Sequence, residues 1–164
     1  MESPLVSVLM PAYNAEKFIG EAIDSILHQD FRNFELIIID DCSTDNTWDI
    51  ISKYAKKDTR ISVQKNKSNL KLSLSLNKGI HLAKGKYIAR MDADDISFPD
   101  RLSQQVKYLE EHPPVGIIGG TMEIIDSDGK CIGKRKYPLE DADIRKKMFY
   151  YSPFSHPLVL IRKS

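Results

Sequence analysis

Two cysteines, one tryptophan and no long apolar run are the main shortages of this chain. Cys42 and Cys131 are too few for a disulfide framework and stand in no CxxC or Cys/His spacing, so a reduced, cytoplasmic setting is expected. No segment reaches transmembrane length. The opening MESPLVSVLMPAYN has an acid where a secretory signal needs positive charge, and Pro11 soon breaks its apolar run. Surplus charge is missing as well: 24 Lys and Arg against 23 Asp and Glu leave +1, which gives no footing for a nucleic-acid binder. Repeats and low-complexity tracts are absent.

What is present fits one domain, residues 1–164, with 41% hydrophobic residues and no need of a structural staple. Its charge is unevenly spread, −5 over residues 1–129 and +6 from Lys130 onward. That basic end is either a solvated surface or a face for an anionic membrane or a phosphate.

The apolar pattern alternates strand and helix. LVSVLM reads as a buried strand stopped at Pro11, followed by Asn14 as a helix cap and a helix with the rows Phe18, Ala22, Ile26 and Ile19, Ile23, Leu27. FELIIID is a β-branched run suited to a strand covered on both faces, and Asp40 and Asp41 close it. A helix with Trp48, Ile51, Tyr54 and Ala55 inward follows, then a short strand in RISVQKN. LKLSLSLNKGIHLAKG fits either state. A helix through Leu72, Leu76, Ile80 and Ala83 is preferred, because a crossover is needed before the strand KYIARMD. Beyond it a helix opens near Pro99, buries Leu102, Val106 and Leu109, and stops at Pro113-Pro114. VGIIGGTMEII is expected as one strand, turned at Asp128-Gly129 into CIGKRKY, with a helix near 141–149 and a strand in PLVLIR. The fold class is α/β, a mostly parallel sheet with helices on both faces, ending in a mixed-sheet segment.

In such a sheet ligands lie at the carboxyl ends of the strands. Three ends carry polar signatures: PAYN after the first, Asp40-Asp41 after the second, and Asp92, Asp94 and Asp95 after the fourth. Carboxylates packed this closely raise one another's pKa unless a cation lies between them. Mg²⁺ or Mn²⁺ answers that need, because a hard ion takes one or two protein oxygens and leaves its other positions to water and phosphates. Asp-x-Asp alone is common, and turn or cap aspartates are the plainer explanation of it, with Asp95 or Ser97 as a cap. A receiver-like phosphotransfer domain also clusters aspartates. No GxxxxGK[ST] loop is present.

The ordered set P-A-Y-N, D-D-x-S-x-D, N-K-G, D-A-D-D and P-D-R resembles the nucleotide-sugar-binding half of an inverting glycosyltransferase of family 2, with the GT-A fold. The resemblance covers nearly the whole chain: a donor-binding part over about 1–112 and a partial acceptor-side part over about 113–164. It implies that Pro11, Ala12 and Tyr13 line the nucleotide pocket and that Asp41 accepts from the uracil imide N–H, with Asp40 structural. It assigns Asp92 to the ribose or donor sugar and Asp94 to Mn²⁺ or Mg²⁺. Arg90 is expected near the donor, and Asp95, Lys78 and His156 are further candidates. Plainer readings exist for the last two: a solvent-facing lysine and a histidine satisfied by local backbone. The implied partners are a nucleotide-sugar donor and a glycan or lipid-linked acceptor, with cytoplasmic location and peripheral contact with the cytoplasmic membrane. The family's general base lies in an E-D motif downstream of FSHPLVLIRKS, so it is expected beyond Ser164, and no catalytic base is assigned here.

Overall fold

The computed structural model describes residues 3–163. Strand β1 (Val6–Ala12) is the axis of the fold, pairing in parallel with β2 (Phe34–Asp40) on one side and β4 (Tyr87–Arg90) on the other, while β3 (Ile61–Lys65) extends the sheet beyond β2. Two short strands complete the far edge. β8 (Leu160–Arg162) runs antiparallel to β4, and β5 (Ile117–Ile118) pairs antiparallel to β8, giving the order β3-β2-β1-β4-β8-β5. β6 (Met122–Ile125) and β7 (Cys131–Arg135) form a separate hairpin whose turn places Gly129 at φ +77°. The helices are α1 (Ile19–Leu27), α2 (Thr47–Lys57), α3 (Lys71–Leu82), α4 (Arg101–Glu111) and α5 (Asp141–Lys147).

The two sheet faces are unequally covered. Val6, Val8, Met10, Leu36 and Ile38 point to the side where Ile19, Ile23, Ile26, Ile51, Leu102 and Leu109 build the main core. Leu9, Ile37, Ile39 and Ile88 point to the other, where Ala83 and the partly buried Leu76 meet them. Alternation along each strand sends neighbours to opposite faces, so a run as apolar as LIII is buried on both. β8 is tied down by Arg162, which donates to the Tyr87 hydroxyl at 3.0 Å and to the Leu109 carbonyl at 2.7 Å.

Four local expectations need correction. β1 does not stop at Pro11. Its ladder with β4 ends at Leu9, so the missing N–H of Pro11 costs no bond on that side while pairing with β2 continues to Ala12. Asn14 does not cap α1, which starts at Ile19; it sits at φ +49° and its Oδ1 accepts from the Thr44 amide at 2.9 Å. On α3 the buried residues are Ser75 and Gly79, and Leu72 and Ile80 are exposed. The helix approaches the sheet through its small residues, close enough that a Cβ on Gly79 would meet Leu9 at 3.4 Å. VGIIGGTMEII is two strands in two sheets, broken at Gly119-Gly120, one pairing with β8 and the other with β7.

Candidate functional site

The order β2-β1-β4 sets the three expected strand ends side by side. Their loops are stitched together: the Asp41 amide donates to the Ala12 carbonyl at 2.8 Å, the Asn14 amide to Ser43 Oγ at 3.0 Å, and the Ala15 amide to Thr47 Oγ1 at 2.8 Å. Three non-glycine residues here, Asn14, Cys42 and Lys71, have left-handed φ of +49°, +63° and +68°. Such conformations are costly for a residue with a side chain and gather where surroundings impose them.

Pro11, Ala12, Tyr13 and Asp41 line one small cleft of about 140 Å³, closed on the far side by Leu72 and Ser75 of α3. Tyr13 is half exposed, its ring available at the rim. Asp41 is buried. Its Oδ1 accepts from Asn66 Nδ2 at 2.7 Å and the Leu70 amide at 2.8 Å, and its Oδ2 from the Lys71 amide at 2.8 Å. Burial pushes its pKa up, but these hydrogen bonds outweigh it and hold the carboxyl below the usual carboxylate value. A carboxylate has about four acceptor sites. Three are engaged, which leaves one on Oδ2. Asp41 thus holds the amides at the start of α3, while Asp40 is fully buried, accepts from the Ser43 amide at 3.3 Å, and has Lys65 Nζ 3.4 Å from its other oxygen.

Lys78 belongs to this same end. Its Nζ donates to Asn66 Oδ1 at 2.9 Å, and Asn66 passes on to Asp41 and to Ser75 Oγ at 2.9 Å. It stands behind the cleft as a brace on Asn66, in place of the solvent-facing lysine of the plainer reading.

The segment after β4 answers the charge puzzle with protein groups. Arg90 is 5% exposed and pairs with Asp92, while its Nε and Nη1 have no hydrogen-bond partner among the described residues. Arg101, at the start of α4, donates from Nη2 to the Arg90 carbonyl at 2.7 Å. Burial pulls its pKa down to about 10, opposed by Asp95 and aided by Arg90, so it stays charged at neutral pH. Asp95 is half-buried and shifts the other way: desolvation raises it first, then Asp92 and Asp94, against the two arginines. The arginines therefore leave part of the negative charge uncompensated. Asp94 is exposed. His156, at the head of a short 3-10 turn, is near enough that desolvation and Arg90 lower its pKa while Asp92 opposes them, which favours its neutral form.

Among the described residues no group of three or more His, Cys, Asp or Glu is placed to enclose a metal. Mg²⁺ and Mn²⁺ do not require one when a phosphate supplies the remaining oxygens. An exposed Asp94 beside an Asp95 whose pKa is raised by burial and by its neighbouring aspartates marks a negative potential that a cation of that kind would relieve.

Arg101, the arginine of P-D-R, and Gln29 also shape this end, though the sequence assigns neither a role. A basic residue in the first turn of a helix opposes the helix dipole, and that was the readable signal for Arg101. Gln29 is fully buried at the end of α1; its Nε2 donates to the Phe98 carbonyl at 2.6 Å and its Oε1 accepts from the Leu102 amide at 3.0 Å, clamping the chain between Asp95 and α4. Next to this clamp lies a larger, mostly apolar cavity of about 450 Å³, with Met91, Asp95, Phe98, Arg101, Met122 and Leu158 among its lining.

The family model "Glycosyl transferase family 2" matches residues 7–163, and the chain belongs to that family. It is 42% identical to the putative glycosyltransferase EpsE of Bacillus subtilis, over 98% of this chain and 57% of EpsE. It is also 42% identical, over 65% of this chain and 41% of the relative, to WfaP of Escherichia coli, whose name is UDP-Glc:α-D-GlcNAc-diphosphoundecaprenol β-1,3-glucosyltransferase. Among solved structures, S. aureus TarS 1–349 superposes with a TM-score of 0.70 at 26% identity, covering 96% of this chain and 46% of that one. The expected GT-A fold is the one found, and the chain spans about half the length of the curated relatives it matches.

Proposed function

We propose that the chain binds a nucleotide-diphosphate sugar, a UDP-sugar by preference, and serves transfer of that sugar with inversion to a glycan or lipid-linked acceptor. The observation that carries this reading is the cleft of Pro11, Ala12, Tyr13 and Asp41 set beside Asp92, Asp94 and Asp95 on adjacent parallel strands. The donor and lipid-linked acceptor in the name of WfaP support it.

Each residue has a task that its surroundings suit. The open acceptor site of Asp41 takes the uracil imide N–H, and a cytosine, lacking that donor, leaves it unpaired. Tyr13 stacks on the base from the rim. Asp92, held by Arg90, is directed at the ribose or donor sugar. Asp94, with Asp95 beside it, would hold Mg²⁺ or Mn²⁺, which when bound supplies Lewis-acid neutralisation of the diphosphate. Negative charge grows on the diphosphate as the C1–O bond breaks, so Arg90 and Arg101 nearby favour the transition state over the ground state. His156, neutral, is suited to donate a hydrogen bond to the leaving group.

A second reading, donor binding without turnover, has its own observation. Of the two carboxylates lining the large cavity, Glu123 is paired with Lys134 at 2.6 Å and Asp95 stands beside Asp94, where a bound cation would engage it. Titration with UDP and Mn²⁺ tests the donor site: Asp94→Ala is expected to abolish metal-dependent UDP binding, and Asp41→Ala to weaken UDP more than inorganic diphosphate. Equal losses for both ligands in the Asp41 variant would remove the uracil assignment. Transfer to added acceptors from UDP-sugars would decide against the second reading.

A further inference from the structure

The most exposed large apolar side chains among the described residues, Phe149, Leu139 and Tyr150, flank α5 and belong to neither core cluster. That helix buries none of its residues and has its charges sorted along its length, Asp141 and Asp143 in the first turn and Arg145, Lys146 and Lys147 in the last. The chain then turns back, with the Tyr150 and Tyr151 amides donating to the Lys147 carbonyl at 2.9 and 3.0 Å. This turn sets Met148, Phe149 and Tyr150 directly against the basic end. Phe149 is 88% exposed and Tyr150 81%. Arg145 is engaged by Asp141 at 2.7 Å, whereas Lys146 and Lys147 have no ion-pair partner among the described residues.

We propose that residues 145–151 dock this protein on an anionic lipid bilayer, the Met148-Phe149-Tyr150 tip entering the headgroup region and Lys146 and Lys147 facing the anionic headgroups. Two properties favour a bilayer over a protein partner. Protein interfaces are depleted in lysine, because an ammonium is costly to dehydrate, while a negatively charged leaflet attracts each lysine held near it. An aromatic tip with polar ends beside a basic cluster is the composition that settles at a lipid–water boundary. The net +6 from Lys130 onward extends the same field. The inference does not rest on the transferase reading.

Sedimentation of the full chain with phosphatidylcholine vesicles, with and without phosphatidylglycerol, tests it. The chain is expected to pellet with the anionic vesicles, to stay in solution with phosphatidylcholine alone, and to be released by salt. The pairs Lys146→Glu with Lys147→Glu, and Phe149→Ser with Tyr150→Ser, should each lower partitioning about tenfold or more, since each removes more than about 1.4 kcal/mol of attraction or burial. Circular dichroism and Tm should not change, because these side chains support no core. Variants that bind like the unaltered chain, equal binding to both vesicle types, or no binding to either would each overturn the proposal. So would a concentration-dependent dimer lost in the Phe149/Tyr150 variant without vesicle binding, which would make this face a contact with a second copy.

Discussion

Residues 3–112 and 113–163 share one sheet but are built to different standards. In the first region, four parallel strands and three of their helices surround a core in which Ile19, Ile38 and Leu102 are fully buried. In the second, the β6–β7 hairpin has no fully buried side chain, α5 buries nothing, and Val159 and Leu160 are its only buried large aliphatic residues. The buried core and the small cleft of Pro11, Ala12, Tyr13 and Asp41 therefore belong to one region, and exposed surface to the other. The difference also explains where function can change cheaply. A cleft assembled from strand ends rests on the paired strands of the sheet, while most side chains of the second region are supported by no core.

The largest expected effect sharpens this contrast directly. Ile38→Ala removes a fully buried side chain from the main core and is expected to cost about 2–5 kcal/mol. Ile132→Ser on the exposed hairpin should stay within about 0.5 kcal/mol of the unaltered chain. Urea denaturation of both variants measures the pair. Similar losses would show that the hairpin is integral to the core and would break the comparison.

The same boundary separates what was legible in the sequence from what was not. In the first region the strands and most helices were readable, because a parallel sheet covered on both faces demands runs such as LIII and most of its helices carry an apolar stripe; α3, whose pattern fits either state, was assigned only by the need for a crossover. The errors there came from geometry that composition does not carry. The Leu72 and Ile80 row looked like the buried stripe of α3, yet the close approach of helix and sheet gave that place to Ser75 and Gly79. That Pro11, Ala12, Tyr13 and Asp41 belong to one pocket was implied by the family resemblance, and the parallel pairing of β1 with β2 brings them around one cleft. The brace from Lys78 through Asn66 to Asp41 did not, since it joins residues whose link depends on side-chain reach. In the second region, two glycines decided whether one strand or two would form, and an apolar run of that length does not say which sheet each half joins.

A smaller effect tests packing at two glycines. A Cβ on Gly85 would lie 2.6 Å from the Ser7 nitrogen and 2.8 Å from the Val6 carbonyl carbon, both backbone atoms of the central strand that cannot yield cheaply. Gly85→Ala is expected to destabilise by roughly 1–3 kcal/mol. At Gly116 a Cβ would meet nothing within 4 Å, so Gly116→Ala should be neutral or slightly stabilising. Thermal melts of the two variants give the comparison, and a loss at Gly116 equal to that at Gly85 would mean that the second region is as tightly packed as the first.

The smallest effect concerns charge and needs its sign worked out. The carboxyl of Asp41 is depressed below 3.8 in the folded chain chiefly by the Asn66, Leu70 and Lys71 hydrogen bonds, which prevail over burial. Its ionised form therefore favours the folded state, fully above the unfolded value of 3.8 and progressively less as pH falls through the depressed native value. Asp41→Asn should lower Tm at pH 7, and the gap should narrow only below about pH 4, where the carboxylate of the unaltered chain begins to protonate in the unfolded state. On the other region, Asp141 and Arg145 form an exposed pair one helical turn apart, and such pairs contribute little. Asp141→Asn should leave Tm at pH 7 nearly unchanged. A gap for Asp41→Asn that stays constant from pH 7 to pH 3 would mean that its carboxylate charge does not stabilise the start of α3, and the cleft would then owe its shape to the sheet alone.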